Sequence, residues 1–136
     1  MRISFDRAKA MDRVARDFNR PYLFHCCGKI ESNVEYAIED VGIAAKHSFE
    51  DAIESVVDAK AKYGDRIALL GGIDVDFLCN SSEEEIRDRV RFTLQQCIPG
   101  GGYCLGTGNS VTNYIPLDSY LAMLDEGRKF VMTSSK

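Results

Sequence analysis

His25 and Cys27 stand two residues apart in the run Tyr22-Leu23-Phe24-His25-Cys26-Cys27, and Cys104 follows far along the chain in Tyr103-Cys104-Leu105-Gly106. In an extended strand, residues two apart share a face. The His25 imidazole and the Cys27 thiol therefore point the same way, and Cys26 points the other. One imidazole and two thiolates suit a borderline-soft ion such as zinc. Three protein ligands leave one position open, which is the arrangement of a catalytic zinc. The competing reading is inert core thiols, a common fate of free cysteine, and spacing alone leaves both open. Three more polar residues fall just after predicted strands. His47 is either a catalytic group or a strand-end histidine bonded to a neighbour. Asp74 either orients a ligand or substrate or caps a loop, and Asn109 is a candidate substrate contact. Cys79 and Cys97 read as small apolar packing groups. Gly100-Gly101-Gly102 precedes a strand rather than a helix, so it reads as a tight turn and not a phosphate cradle.

The elements that must carry these residues follow from periodicity. Phe5, Ala8, Met11, Val14, Ala15 and Phe18 keep helical spacing, and Asn19-Arg20-Pro21 ends that helix. Residues 22–27 form a short, largely apolar run of the kind found in buried parallel strands. A short helix is expected around Asn33 to Glu39, then a second strand over residues 41–47. Ser48 is placed as the cap of the next helix, which carries Phe49, Ile53, Val56, Val57 and Ala61 and ends at Gly64. A third strand covers residues 66–73. Ser82 with Glu85 makes a capping box for a helix through Ile86, Val90, Leu94 and Cys97. The fourth strand is residues 103–106, and a last helix starts near Pro116 or Leu117.

Strand and helix thus alternate four times, which means parallel strands with right-handed crossovers. The polar candidates all lie at the carboxyl ends of different strands, as in barrel enzymes. No Gly-x-Gly-x-x-Gly loop follows the first strand, as a dinucleotide-binding open sheet would have. The expected fold is α/β, with four strand–helix units forming half of a (β/α)8 TIM-type barrel, and residues 1–136 as a single domain. A full barrel has eight strands and typically about 250 residues, so the chain is read as a fragment. Two open strand edges lead us to expect that it associates with another copy. The chain is 45% hydrophobic and 28% charged, with net charge -4. That balance argues against nucleic acid or an anionic membrane as a partner. No apolar run reaches the ~20 residues of a membrane helix, and the start lacks a signal-peptide core, so a cytoplasmic location is expected. The five cysteines are odd in number and two are adjacent, which speaks against a disulfide framework.

Phe24-His25-Cys26-Cys27-Gly28 with Cys104 resembles the His-x-Cys…Cys zinc motif of corrinoid-dependent methyltransferases. These belong to the uroporphyrinogen decarboxylase superfamily, and the branch includes the methylcobamide:coenzyme M methyltransferases. Leu70-Gly71-Gly72-Ile73-Asp74 is similar to the superfamily's strand ending in Gly-x-Ile-Asp. Leu105-Gly106-Thr107-Gly108-Asn109-Ser110-Val111, followed by Ile115-Pro116, resembles its last strand and final loop. The similarity runs from about Pro21 to Phe130 and corresponds to the carboxyl-terminal half of the family's barrel. It implies zinc on His25, Cys27 and Cys104, and a methylcorrinoid (cobalamin) donor carried by a partner corrinoid protein. A small-molecule thiol or other methyl acceptor would receive the methyl group, with Asp74 and Asn109 near the substrate. In the family an additional acidic zinc ligand and part of the substrate pocket come from the first half of the barrel. The true decarboxylases carry a histidine at the place of Thr107 and lack the His-x-Cys pair. Methyl transfer is therefore favoured over porphyrinogen decarboxylation, with an inactive fragment acting only in association as a third reading.

Overall fold

Four short apolar runs pair into one sheet: β1 (Leu23–His25), β2 (Ala45–His47), β3 (Ala68–Leu70) and β4 (Tyr103–Cys104). The computed structural model describes residues 2–134. All three pairings are parallel and the strands lie in chain order. A doubly wound sheet reverses its strand order at a switch point; consecutive order without reversal is the wall of a barrel. Helix α1 (Arg2–Asp17) precedes the sheet. Between strands run α2 (Glu31–Tyr36) with a π-helical turn over Ala37–Val41, then α3 (Val56–Tyr63), then α4 (Val75–Asn80) with α5 (Glu83–Cys97). Helix α6 (Leu117–Ser134) follows β4. The observed fold is thus α/β, part of a (β/α)8 barrel. Among the described residues no helix is long and apolar enough to cross a membrane.

Register decides which side chains meet. Phe24, Lys46, Leu69 and Tyr103 are level across the sheet. This row faces the helices: Leu69 is fully buried, and Phe24 and Tyr103 pack on a core built from Val34, Ala37, Val56, Ala59 and Ile67. Each buried Val, Leu or Ile side chain of this core contributes about 1.5–3 kcal/mol, and the alanines less. A second core, with Ile73, Leu78, Ile86, Val90 and Met123, joins the helices that follow β3 and β4. The next row, His25, His47, Leu70 and Cys104, points to the opposite, concave face. His25 and Cys104 are exposed there, and Leu23 is 54% exposed.

Three local expectations change. Ser48 does not cap a helix. It is buried, adopts φ 82°, and its carbonyl accepts from the Lys46 ammonium at 2.6 Å. That bond holds the backbone out of helical geometry, so α3 starts only after Ser55, whose Oγ accepts from the Asp58 N–H at 3.1 Å. The second strand begins at Ala45 rather than residue 41. Val41 closes the π-helical turn, and Gly42 (φ 87°) reverses the chain. Helix α4 was not anticipated; Asp74 starts it by accepting from the backbone of Asp76 and Phe77. The Ser82–Glu85 capping box forms as read. Gly100, Gly101 and Gly102 all take positive φ in the turn before β4, and Cys97 is fully buried in the core.

Candidate metal centre

β1 delivers His25 to the concave face, and the chain runs on to Cys27 before Gly28 (φ 89°) turns it away. The His25 Nε2 lies 3.2 Å from Cys27 Sγ, although Cys27 sits just beyond the end of β1 rather than in the strand expected over residues 22–27. The parallel register sets His25 opposite His47 on β2. Their Nδ1 atoms are 2.7 Å apart, with ring centroids at 4.9 Å. The His47 Nε2 is 3.2 Å from the Thr107 carbonyl oxygen. From the loop after β4, the Asn109 amide reaches back across the sheet. Its Oδ1 accepts from the Ser110 N–H at 2.8 Å, which turns Nδ2 to donate to Cys27 Sγ at 3.4 Å. His25, Cys27, His47 and Asn109 therefore form one cluster.

Cys104 is placed differently. It shares the His25 level and the concave face, but three strand spacings, about 14 Å along the sheet, separate β4 from β1. Its thiol contacts the Leu105 carbonyl at 3.9 Å. Among the described residues, no three His, Cys, Asp or Glu side chains gather closely enough to hold a metal ion. The His25–Cys27 pair has the donor chemistry that zinc takes. The second ring nitrogen of His25 is engaged by a neighbour, as that of a metal-bound histidine is. The residues thus fit two of the ligands; Cys104 lies at the same end of the sheet but outside the reach of an ion shared with His25 and Cys27.

The electrostatics follow from burial. Desolvation holds the His47 pKa below the ordinary histidine value; His25 and Lys46 push the same way, and the Thr107 hydrogen bond opposes them. Asp74 has both carboxylate oxygens engaged by backbone. Oδ1 accepts from Asp76 at 2.7 Å and Phe77 at 3.3 Å, and Oδ2 accepts from Asp51 at 2.7 Å. It thereby ties the loop after β2 to the loop after β3. These loops and the one after β4 border a cavity of about 860 Å³ at the carboxyl ends of the strands, lined by Phe49, Glu50, Asp74, Phe77, Asn109 and Tyr114 among others.

Sequence reasoning passed over Lys46. Its side chain is buried on the helix side, with the ammonium 3.7 Å from the centre of the Phe49 ring. Burial lowers its pKa, against the pull of Glu54 and of the Cys26 and Cys27 thiols. Strand alternation carries the signal, since Lys46 lies between two inward-facing positions. Gly71 was also passed over as more than a strand residue. It takes φ 84°, and a Cβ there would collide with the Thr107 carbonyl oxygen and come within 3.0 Å of the His47 ring. Cys26 is half-buried, as expected for a structural thiol, and burial raises its pKa.

The model of a family described as uroporphyrinogen decarboxylase (URO-D) matches residues 6–130. No curated protein matches the sequence. Among solved structures, a methyltransferase from Methanosarcina mazei is similar, with a TM-score of 0.69 and 20% sequence identity. The match covers 91% of this chain and 35% of that one, so this chain spans about a third of the methyltransferase. At that identity the likeness speaks for the fold.

Proposed function

We propose, from the premise that this chain belongs to the uroporphyrinogen decarboxylase family, that it is the zinc-binding half of a methyltransferase barrel. The reaction would move a methyl group between a methylcorrinoid, carried on a partner protein, and a thiol-type acceptor. The observation that carries this reading is the His25–Cys27 pair, an imidazole nitrogen and a soft thiol sulfur 3.2 Å apart at the carboxyl end of β1.

His25 Nε2 and Cys27 Sγ would hold the ion; Cys104 Sγ, three strand spacings away, would complete the set only once the sheet closes on itself. When bound, zinc supplies a Lewis acid that keeps a coordinated acceptor thiol deprotonated at neutral pH. The chain's own residues prepare that site. The Asn109 Nδ2 donates to the Cys27 sulfur, and such a bond moderates the charge of a thiolate ligand. Asp74 acts by holding two loops at the border of the cavity beside the site. The cavity lies at the strand carboxyl ends, where barrel enzymes bind substrate.

The test begins with elemental analysis of protein purified under reduction. Stoichiometric zinc is expected, with loss in Cys27→Ala and weakened binding in Cys104→Ala. Methyl transfer from methylcobalamin to a small thiol should follow the zinc content, and a chelator should abolish it. A zinc-free reduced sample, or one whose zinc is unaffected by Cys27→Ala, overturns the reading.

A further inference from the structure

The Thr107 carbonyl, the His47 ring, the His25 ring and the Cys27 thiol form a line, with successive contacts of 3.2, 2.7 and 3.2 Å. A carbonyl oxygen only accepts hydrogen bonds, so His47 must carry a proton on Nε2 to make the first contact. A neutral imidazole has one N–H and one bare nitrogen. His47 Nδ1 is then an acceptor, and His25 must donate to it from its own Nδ1. This leaves His25 Nε2 bare, facing Cys27. The reverse direction along the line would need a doubly protonated His47, and the ring's contacts with Thr107, His25 and Gly71 include no carboxylate to pair that charge.

We infer that His47 is a positioning residue that holds His25 in its Nδ1–H tautomer, so that the Nε2 lone pair is presented beside the Cys27 sulfur. The surrounding backbone is built to hold the anchor of this relay. Thr107 is buried and bridges to Ile73. The next residue, Gly108, donates to the Ile73 carbonyl at 2.6 Å and accepts from Phe49 at 2.8 Å. Gly71 leaves open the space in which His47 and the Thr107 oxygen meet, which a Cβ would occupy. The consequence for metal binding rests on the reading of His25 and Cys27 as ligands; the tautomer itself does not. A metal-bound imidazole needs one bare nitrogen and a fixed partner on the other, and losing such a partner typically costs 10- to 100-fold, by rough rule, in affinity.

The chain has two histidines, so the ring nitrogens of the whole 15N-labelled protein can be read in a long-range 1H–15N correlation spectrum. In reduced, zinc-free protein at neutral pH we expect Nδ1–H for His25 and Nε2–H for His47. His47→Leu should release His25 to the Nε2–H form and weaken zinc binding by about 10- to 100-fold. His47→Asn sets an amide oxygen at the place of Nδ1, and should restore the His25 tautomer and most of the affinity. An Nε2–H His25 in the unaltered protein, or a His25 tautomer unmoved by His47→Leu, overturns the inference. If His47→Leu does not fold, the spectra of the unaltered protein and His47→Asn decide it. Should the unaltered chain bind no zinc, the metal reading fails, while the spectra still settle the relay.

Discussion

Gly71 is a point where one hydrogen atom in place of a methyl group sets the geometry of the site. Its φ of 84° suits glycine, and a Cβ would press on both partners of the His47–Thr107 hydrogen bond. Gly71→Ala should lower the melting temperature and also disturb the His25 ring resonances. An unchanged melt and unchanged resonances would show that the neighbouring backbone gives way freely. The partnership of His25 with Cys27 is legible in the sequence, because a two-residue step at the end of a strand is enough to define it. The contact with His47 is not legible. It depends on the parallel register that sets His25 opposite His47, and no local pattern encodes such a register. Asn109 is visible as a polar loop residue, but its reach to Cys27 across 82 positions is a product of tertiary folding. Cys104 shows the reverse case: its residue type suits the motif, while its distance from β1 is set by the curvature and number of the strands between.

Helix boundaries in this chain follow their caps. The Ser82–Glu85 box satisfies two N–H groups at the start of α5, with Ser82 N–H to Glu85 Oε2 at 2.8 Å. Ser82→Ala should destabilise the protein by about 1 kcal/mol, read as a shift in the denaturant midpoint without a change in slope. The box is legible because Ser-x-x-Glu is a local signature. Ser48-Phe49-Glu50-Asp51 looks equally suitable, yet the buried Lys46 captures the Ser48 carbonyl and delays the helix to Val56. A long-range polar contact overrides local propensity there. The seam between α5 and α6 carries a charge cluster in which Glu126 accepts from Arg91 at 2.7 Å and Arg87 at 3.1 Å. The Arg91 hydrogen bond, seconded by Arg87, holds the Glu126 pKa below the usual glutamate value, against desolvation. A depressed carboxylate pKa contributes stability that is present above the unfolded value and lost as pH falls through the folded one. Thermal melts across acid pH should therefore show a shallower decline for Glu126→Gln than for the unaltered chain; identical slopes would place the acid sensitivity elsewhere.

The alternation of strands and helices is enough to read the architecture of the whole molecule, since parallel neighbours joined by helices admit few arrangements. What the alternation does not yield is the surface this arrangement leaves. Met11 and Val14 on α1, with Phe18 in the turn just past its end, form an exposed apolar stripe, and Leu117, Leu121 and Leu124 form another on α6. Together with the exposed concave face, these stripes lead us to expect self-association in solution. Sedimentation velocity should show concentration-dependent species larger than the chain; a stable monomer with a cooperative melt would count against this. The order β1-β2-β3-β4 has one more consequence, for the history of the molecule rather than its surface. Each strand after β1 pairs with the one that left the ribosome just before it. Nothing in the sheet has to wait for a distant segment, so each unit can dock on its predecessor during synthesis. Each docking still has to close a crossover helix, so parallel pairing rather than any local turn sets the pace of folding.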